Sequence, residues 1–225
     1  DTYFSWNDLM LKINSELLNN LGNFINRALS FISNNFDGCI PEMPLEEGDK
    51  KVIAQVDHEL KSYIQCMERT RLRDAIKYML NISRIGNQYI QSNKPWEKIK
   101  ASAAEKARAG TVLGLSANIC CLLCTLMEPY MPDSCSGLKS QLNTQPVHHI
   151  LVDNFVCLLP SGHKIGKVLP THGEPNITME IETVTQQWAC RTERRAYLLF
   201  DDFKEDTCAR CYHYMPLFSF KRKFK

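Results

Sequence analysis

The feature that most constrains the fold is a succession of long segments in which apolar residues recur every three or four positions. This spacing places the apolar side chains on one face of an α-helix. In the first segment, residues 5–37, the apolar positions are Leu17, Leu21, Phe24, Ile25, Ala28, Phe31, Ile32 and Phe36. Ser5 followed by Asp8 predicts a capping box at its start, and Gly38 predicts its end. A break in this long run is expected near residues 14–19.

The same periodicity predicts further helices over residues 49–69, 103–128 and 133–141, and another that starts at residue 70 or 71 and ends at residue 92. Pro95 suits the first turn of a short helix that carries Trp96. The connections are short, and no strong alternating pattern precedes residue 147. We therefore predict an all-α fold, an antiparallel helical bundle over residues 1–147.

The last third of the chain has a different pattern. Residues 148–170 contain the run ILVDNFVCLLPSGHKIG, in which apolar residues are followed by a Pro/Ser/Gly turn. This run predicts a short β-like closing segment, with one hairpin as an option. Residues 171–225 show no sustained period, so we expect a divergent, poorly ordered tail whose role is unknown.

Composition is that of an ordinary soluble protein, with 44% hydrophobic and 23% charged residues. The most apolar stretch, residues 119–127, is too short to cross a bilayer, and we see no signal-peptide pattern. Cys120, Cys121 and Cys124 in that stretch are expected to be buried free thiols in a reducing compartment. Because the chain begins at Asp1 without an initiator Met, we expect a fragment of a longer protein.

Metal and catalytic motifs are weak in this sequence. The motif CARCYH supplies Cys208, Cys211 and His213, with Cys190 upstream, but the spacing does not suit tetrahedral zinc. We therefore predict no metal site. Phosphate-binding glycine loops, nucleophile elbows and paired metal-ligand histidines are also missing from the sequence. Catalysis by these 225 residues alone is not expected.

A polar cluster interrupts the apolar pattern of the first helix. Asn23 and Arg27 lie four residues apart, so they share one helix face. An exposed ion pair is the plain interpretation of Arg27, but asparagine is a poor helix former, and Asn19, Asn20 and Asn26 lie close by. An Asn amide offers both a donor and an acceptor, whereas Arg offers donors only, so the pair suits the edge of cytosine.

Two interpretations of Trp96 remain open at this point. A tryptophan at a helix start often seals the corner between two helices. It can equally stack on an unpaired nucleic-acid base, with Lys94, Lys98 and Lys100 attracting phosphates.

Four segments, taken together and in order, closely resemble the anticodon-binding domain of cytosolic, eukaryote-type methionyl-tRNA synthetases. They are NSELLNNLGNFINRALSFI with FDG, NQYIQSNKPWEKIK, AGTVLGLSANI with LMEPYMP, and LPSGHKIG, and the match covers about residues 3 to 170. The resemblance implies a helical bundle in which Asn23 and Arg27 contact the CAU anticodon and Trp96 stacks on an anticodon base.

The resemblance also implies partners and a location: methionine tRNA, the protein's own catalytic domain, an optional multi-synthetase complex, and the cytoplasm. The catalytic domain, marked in the family by HIGH and KMSKS motifs, is absent from this sequence. It would bind ATP and methionine and make the full-length protein a methionine–tRNA ligase, whereas this chain needs no cofactor.

Three alternatives stay open. The chain could be the related helical domain of an isoleucyl-, valyl- or leucyl-type synthetase, which Asn23, Arg27 and Trp96 together disfavour. It could be a helical scaffold that binds protein through an apolar face and is indifferent to those three residues. A zinc-dependent module in the tail is the most distant alternative.

Overall fold

The computed structural model describes residues 5–168 of the chain. Seven α-helices, one π-helical stretch and one short 3-10 helix make up this part. Their bounds are α1 Trp6–Lys12, the π-helical stretch Ile13–Gly22, α2 Asn23–Asn35, α3 Glu47–Glu68, α4 Leu72–Asn93, α5 Pro95–Lys98, α6 Ala103–Met127, α7 Pro132–Leu142 and the 3-10 helix Pro146–His149. The predicted all-α bundle is confirmed.

Helix α6 is the centre of the bundle. It packs against α2, α4, α5 and α7, and every residue from Ala109 to Cys121 is buried. By length and composition alone α6 could cross a membrane, because its apolar run is longer than residues 119–127. However, 89% of its most apolar window is buried inside the bundle. Helix α6 is therefore accounted for as the core helix, and Cys120, Cys121 and Cys124 are buried free thiols as predicted.

The predicted break in the first helix is a change of helix type. Ser5 caps α1 by accepting a hydrogen bond from the Asp8 N–H at 3.3 Å, and the chain then widens into the π-helical stretch before α2 begins at Asn23. Asn20 is buried at the end of this stretch, and its side-chain amide donates to the carbonyl of Leu80 on α4 at 3.1 Å. The stretch is thereby tied to α4.

Local capping sets the ends of the longer helices. Ser102 and Glu105 form a reciprocal capping box at the start of α6, each side chain bonding the other's backbone N–H at 3.3 Å. Asp49 does the same at the start of α3, where its carboxylate accepts the N–H of Glu46 at 2.9 Å. Pro95 occupies the first turn of α5 as predicted, because that position needs no N–H donor.

Residues 150–168 close one end of the bundle, but without the hairpin that the sequence allowed. Among residues 5–168 no strand forms; a single antiparallel bridge joins Cys39 and Lys164. The backbone of Leu159 bonds instead to the buried side chain of Asn118 on α6, at 2.8 and 3.2 Å. The loop after α2 also bonds to this segment, where Ile40 exchanges backbone hydrogen bonds with Gly162 and His163. The divisions predicted at residues 147 and 170 stay predictions.

Gly86 on α4 allows α2 to pack closely. A Cβ at this position would lie 2.4 Å from two carbons of the Phe24 ring, which is fully buried. We expect Gly86→Ala to lower the free energy of unfolding by about 1–3 kcal/mol, the usual cost of overpacking a core. Urea denaturation measures this loss.

Gly48, in the first turn of α3, supplies the matched control, because a Cβ there meets nothing within 4 Å. Gly48→Ala should leave stability unchanged or raise it, since alanine is the better helix former. Equal urea midpoints for the two alanine variants would contradict the close approach at Gly86.

The tail predicted over residues 171–225, including the CARCYH motif, lies outside the described residues. Its predicted disorder and its cysteines are therefore left as predictions.

Candidate nucleic-acid interface

The start of α2 sorts its side chains between the core and the surface. Phe24, Ile25 and Ala28 are buried against the bundle, whereas Asn23 is exposed and Arg27 is half-buried. Asn23 and Arg27 lie one helical turn apart, as their spacing predicted. Both side chains therefore face the same side of the bundle, away from its core.

Trp96 lies on α5 and meets this part of α2. The guanidinium carbon of Arg27 is 5.3 Å from the centre of the Trp96 ring, within the range of a cation–π contact. On α2 one turn further, Phe31 stacks on Trp96 with ring centres 6.4 Å apart and planes 27° apart. Trp96 thus packs into the junction between α2 and α5 while part of its surface stays exposed.

Helix α4 supplies partners for both polar residues of α2. Arg27 Nη2 donates to Gln91 Oε1 at 3.2 Å, and Asn23 Nδ2 lies 3.5 Å from Asn87 Oδ1. Asn87 in turn donates to the carbonyl of Asn20 at 2.8 Å. The predicted site residues are therefore held by a second row of amides that the sequence interpretation did not include.

An open groove of about 460 Å³ lies between α4 and the segment that carries Asn23 and Arg27. Six of its lining residues are amides. The full lining is Ser15, Glu16, Asn19, Asn20, Asn23, Arg27, Arg84, Asn87, Gln88 and Gln91. Amides offer donors and acceptors side by side, and such pairs match the edges of unpaired bases.

Charge in the groove is set by three residues. Glu16 is neutralised by Arg84, whose Nη2 lies 2.5 Å from Glu16 Oε2. Among residues 5–168, Arg27 makes no ion pair, so it leaves the groove with a net positive charge. Partial burial lowers the pKa of Arg27 from its ordinary value, but an arginine stays charged in proteins. Within residues 5–168, the exposed ion pair first considered for Arg27 is therefore not formed.

The missed residues carried a signal in the sequence. Asn87, Gln88 and Gln91 fall at spacings of one, three and four residues just before Pro95, which places them on the outer side of α4. The apolar period that predicts α4 carries no information about these polar positions. The α2 partners of Asn87 and Gln91 are 64 residues away in sequence, so only the fold shows the pairing.

The basic run at the other end of α4 does not join this groove. Arg69, Arg71, Arg73 and Lys77 are exposed, and Lys77 pairs with Asp74 at 2.8 Å. Arg73 lies 18 residues before Gln91, about 27 Å along the helix axis. The run therefore forms a solvated face apart from the groove.

Comparison with known proteins finds a family whose sequence profile matches this chain. The sequence profile described as the anticodon binding domain of methionyl tRNA ligase matches residues 41–172. The match includes Trp96, whereas Asn23 and Arg27 precede it.

Relatives extend the similarity beyond that profile. The chain is 53% identical over 171 residues to the cytoplasmic methionine–tRNA ligase of Homo sapiens, covering 76% of this chain and 19% of the relative. It is 34% identical over 168 residues to the methionine–tRNA ligase of Pyrococcus abyssi, covering 74% of this chain and 22% of the relative. The chain thus spans about a fifth of the length of these relatives.

Solved structures show the same fold. The methionyl-tRNA synthetase of Mycobacterium tuberculosis, in complex with methionyl-adenylate, superposes with a TM-score of 0.67 at 25% identity. The superposition covers 75% of this chain and 33% of that one. From the profile match, the identities and the shared bundle, the chain belongs to the family of anticodon-binding domains of methionyl-tRNA ligases.

Proposed function

We propose that this chain binds the CAU anticodon of methionine tRNA through Asn23, Arg27 and Trp96. The observation that carries the proposal is the contact of Arg27 with Trp96, 5.3 Å from its ring centre, beside an amide-lined groove. A flat aromatic ring, a positive charge and adjacent amides are the groups that recognise an unstacked base. They meet here in a chain of the anticodon-binding family.

Each residue has a distinct role in the proposal. Trp96 offers a stacking face, braced by Phe31 behind it. Arg27 can only donate hydrogen bonds, so it suits the ring nitrogen and carbonyl acceptors of cytosine and disfavours uracil, whose ring nitrogen carries a proton. Asn23 can both donate and accept. Asn87 and Gln91 hold these two side chains in place by their hydrogen bonds.

The relatives support a second proposal, about the protein to which this chain would belong. We propose that this chain forms part of a cytoplasmic methionine–tRNA ligase in which a separate catalytic domain binds ATP and methionine and aminoacylates the tRNA. The proposal is supported by the names of the relatives and by the share of their length that lies outside the match. Membership of a multi-synthetase complex stays a prediction of the resemblance.

Removing Arg27 tests the proposed recognition. Arg27→Ala should weaken binding to a stem-loop carrying CAU by about tenfold or more, because a hydrogen bond from a charged group contributes about 1.5–3 kcal/mol. It should also reduce the preference for CAU over a stem-loop with uracil as the first anticodon base. Fluorescence anisotropy at several salt concentrations measures both quantities.

Two surface variants provide matched controls. Arg73→Ala removes an exposed arginine that lies about 27 Å from Gln91 along the axis of α4. Asn34→Ala removes an exposed asparagine near the end of α2. Both should leave the CAU preference intact, whereas Asn23→Ala should reduce it. If Arg27→Ala and Arg73→Ala lowered the affinity for the CAU stem-loop equally, the arginines would act through nonspecific attraction to phosphate. That result would reject the assignment of Asn23 and Arg27 to anticodon recognition.

A further inference from the structure

A buried polar network lies at the end of α4 that carries Gln91. The side chain of Asp49 is fully buried and accepts two hydrogen bonds from Arg108, at 2.6 and 2.7 Å. Tyr89 donates its hydroxyl to the same carboxylate at 2.5 Å. Arg108 also donates to Asn93 Oδ1 at 3.2 Å. Every member of the network thus has a partner.

The network joins three helix ends. Asp49 belongs to the first turn of α3, Arg108 to the second turn of α6, and Tyr89 and Asn93 to the last turns of α4. Burial alone would raise the pKa of Asp49, but the hydrogen bonds from Arg108, Tyr89 and the Glu46 N–H, together with the charge of Arg108, lower it overall. The carboxylate is therefore charged at neutral pH, and its bonds hold the three ends together.

The end of α4 that the network holds is the end that reaches the groove. Gln91, the partner of Arg27, lies between Tyr89 and Asn93 on the same two turns but on the exposed side. Tyr89 and Asn93 are four residues apart, so they fix the rotation of this part of α4 about its axis. A rotation or shift there would move the Gln91 amide relative to α2.

The same end of α4 leads straight into Trp96. After Asn93 the chain turns through Lys94, whose backbone is left-handed (φ 44°, ψ 59°), and then enters α5 at the buried Pro95. A non-glycine residue adopts this conformation at a cost of about 1 kcal/mol or more, so its surroundings must hold it in place. Asn93 is the adjacent residue, and it is bonded both to Arg108 and, through its amide, to the carbonyl of Tyr89 at 2.9 Å.

We infer that Asp49, Arg108, Tyr89 and Asn93 form a positioning network that places Trp96 and Gln91 for anticodon recognition. None of the four lines the groove, so each acts through another residue. The inference rests on the proposed function for its effect on RNA binding, but the placement of Trp96 can be measured without RNA.

Tyr89→Phe is the most selective test, because it removes only the hydroxyl that donates to Asp49. Tyr63→Phe is the matched control: Tyr63 is also a buried tyrosine, and its hydroxyl donates to the carbonyl of Leu126 at 2.9 Å. Both variants are placed in the 225-residue chain carrying Trp6→Phe and Trp188→Phe, so that Trp96 is its only tryptophan. The emission maximum and acrylamide quenching of Trp96 are then measured, together with binding to the CAU stem-loop.

The positioning network predicts different results for the two tyrosines. Tyr89→Phe should change the emission and quenching of Trp96 and weaken CAU binding about threefold or more, as coupled networks usually do. Tyr63→Phe should lower the melting temperature but leave the fluorescence of Trp96 and the affinity for the CAU stem-loop unchanged within error. Asn93→Ala removes both the hydrogen bond from Arg108 and the one to the carbonyl of Tyr89. It should act in the same direction as Tyr89→Phe and serves if that variant folds poorly.

Each outcome separates the inference from the proposed function. The positioning role would be overturned if Tyr89→Phe left both the emission of Trp96 and the binding of the CAU stem-loop unchanged. It would also be overturned if Tyr63→Phe changed them as much as Tyr89→Phe. A change in Trp96 emission confined to Tyr89→Phe would support it even if the wild-type chain showed no preference for CAU. In that case the proposed function would fail and the placement of Trp96 would stand.

Discussion

Trp96→Ala is expected to weaken binding of the CAU stem-loop by about tenfold or more, because stacking of a base on an aromatic ring contributes about 1–3 kcal/mol. Because every base has a flat face, the loss of affinity should not depend on which base is stacked. It should therefore appear as a lower affinity for CAU and for its variants alike, unlike the change in preference expected for Arg27→Ala. Trp96→Phe keeps a smaller ring and should recover part of the affinity.

Trp96 also packs on Phe31 and Arg27, so its removal affects the fold as well as the site. Phe36→Ala supplies the control, because Phe36 is a half-buried aromatic near the end of α2 with Lys106 5.8 Å from its ring centre. That variant should lose stability and keep its RNA affinity. If Phe36→Ala weakened binding as much as Trp96→Ala, the loss would reflect the fold rather than stacking.

Asp49→Ala is expected to be the most destabilising of the substitutions considered. Removing one partner of a buried ion pair typically costs about 3–5 kcal/mol, because the other charge is left without compensation. Arg108 keeps a second carboxylate, Glu46, at 3.5 Å, so we expect a value near the lower end. For a domain of this size that corresponds to a fall in melting temperature of about 6–12 °C, measured by calorimetry.

The same pair predicts how stability changes with pH. The pKa of Asp49 is lowered in the folded protein from an ordinary value of 3.8. The stability that the Asp49 carboxylate contributes to the folded protein is therefore fully present above that value. It is lost as the pH falls through the lowered pKa. The gap in melting temperature between the wild type and Asp49→Ala should be constant near neutrality and narrow below about pH 4.

Asp74→Ala is the surface comparison for this prediction. Asp74 pairs with Lys77 across one turn of α4, and both side chains are exposed. Its removal should leave the melting temperature nearly unchanged. A large fall for Asp74→Ala, or none for Asp49→Ala, would contradict the central place of the Asp49–Arg108 pair.

The helices could be predicted closely because their signals are local. The predicted ranges 49–69, 103–128 and 133–141 became Glu47–Glu68, Ala103–Met127 and Pro132–Leu142. Apolar spacing, the Ser102–Glu105 capping box and the prolines all act within a few residues of the ends that they set. The expected break in the first helix was also found, although nothing in the spacing indicated that it would be π-helical.

The features that the sequence did not show depend on residues far apart in the chain. Asn118 binds the backbone of Leu159 from 41 positions away, in the segment where the sequence allowed a hairpin. Asp49 and Arg108 are 59 positions apart. Asn23, Arg27 and Trp96 were singled out by residue type and by resemblance, but their amide partners on α4 required the packing of α2 against α4.

The preference of the wild-type chain for CAU is the most direct test of the account. Dissociation constants should be measured for two stem-loops that differ only in the first anticodon base, cytosine or uracil, over a series of salt concentrations. The account predicts that both affinities fall as salt rises, because phosphate contacts weaken, while the ratio in favour of CAU persists. Equal affinities at every salt concentration would contradict anticodon recognition by this chain.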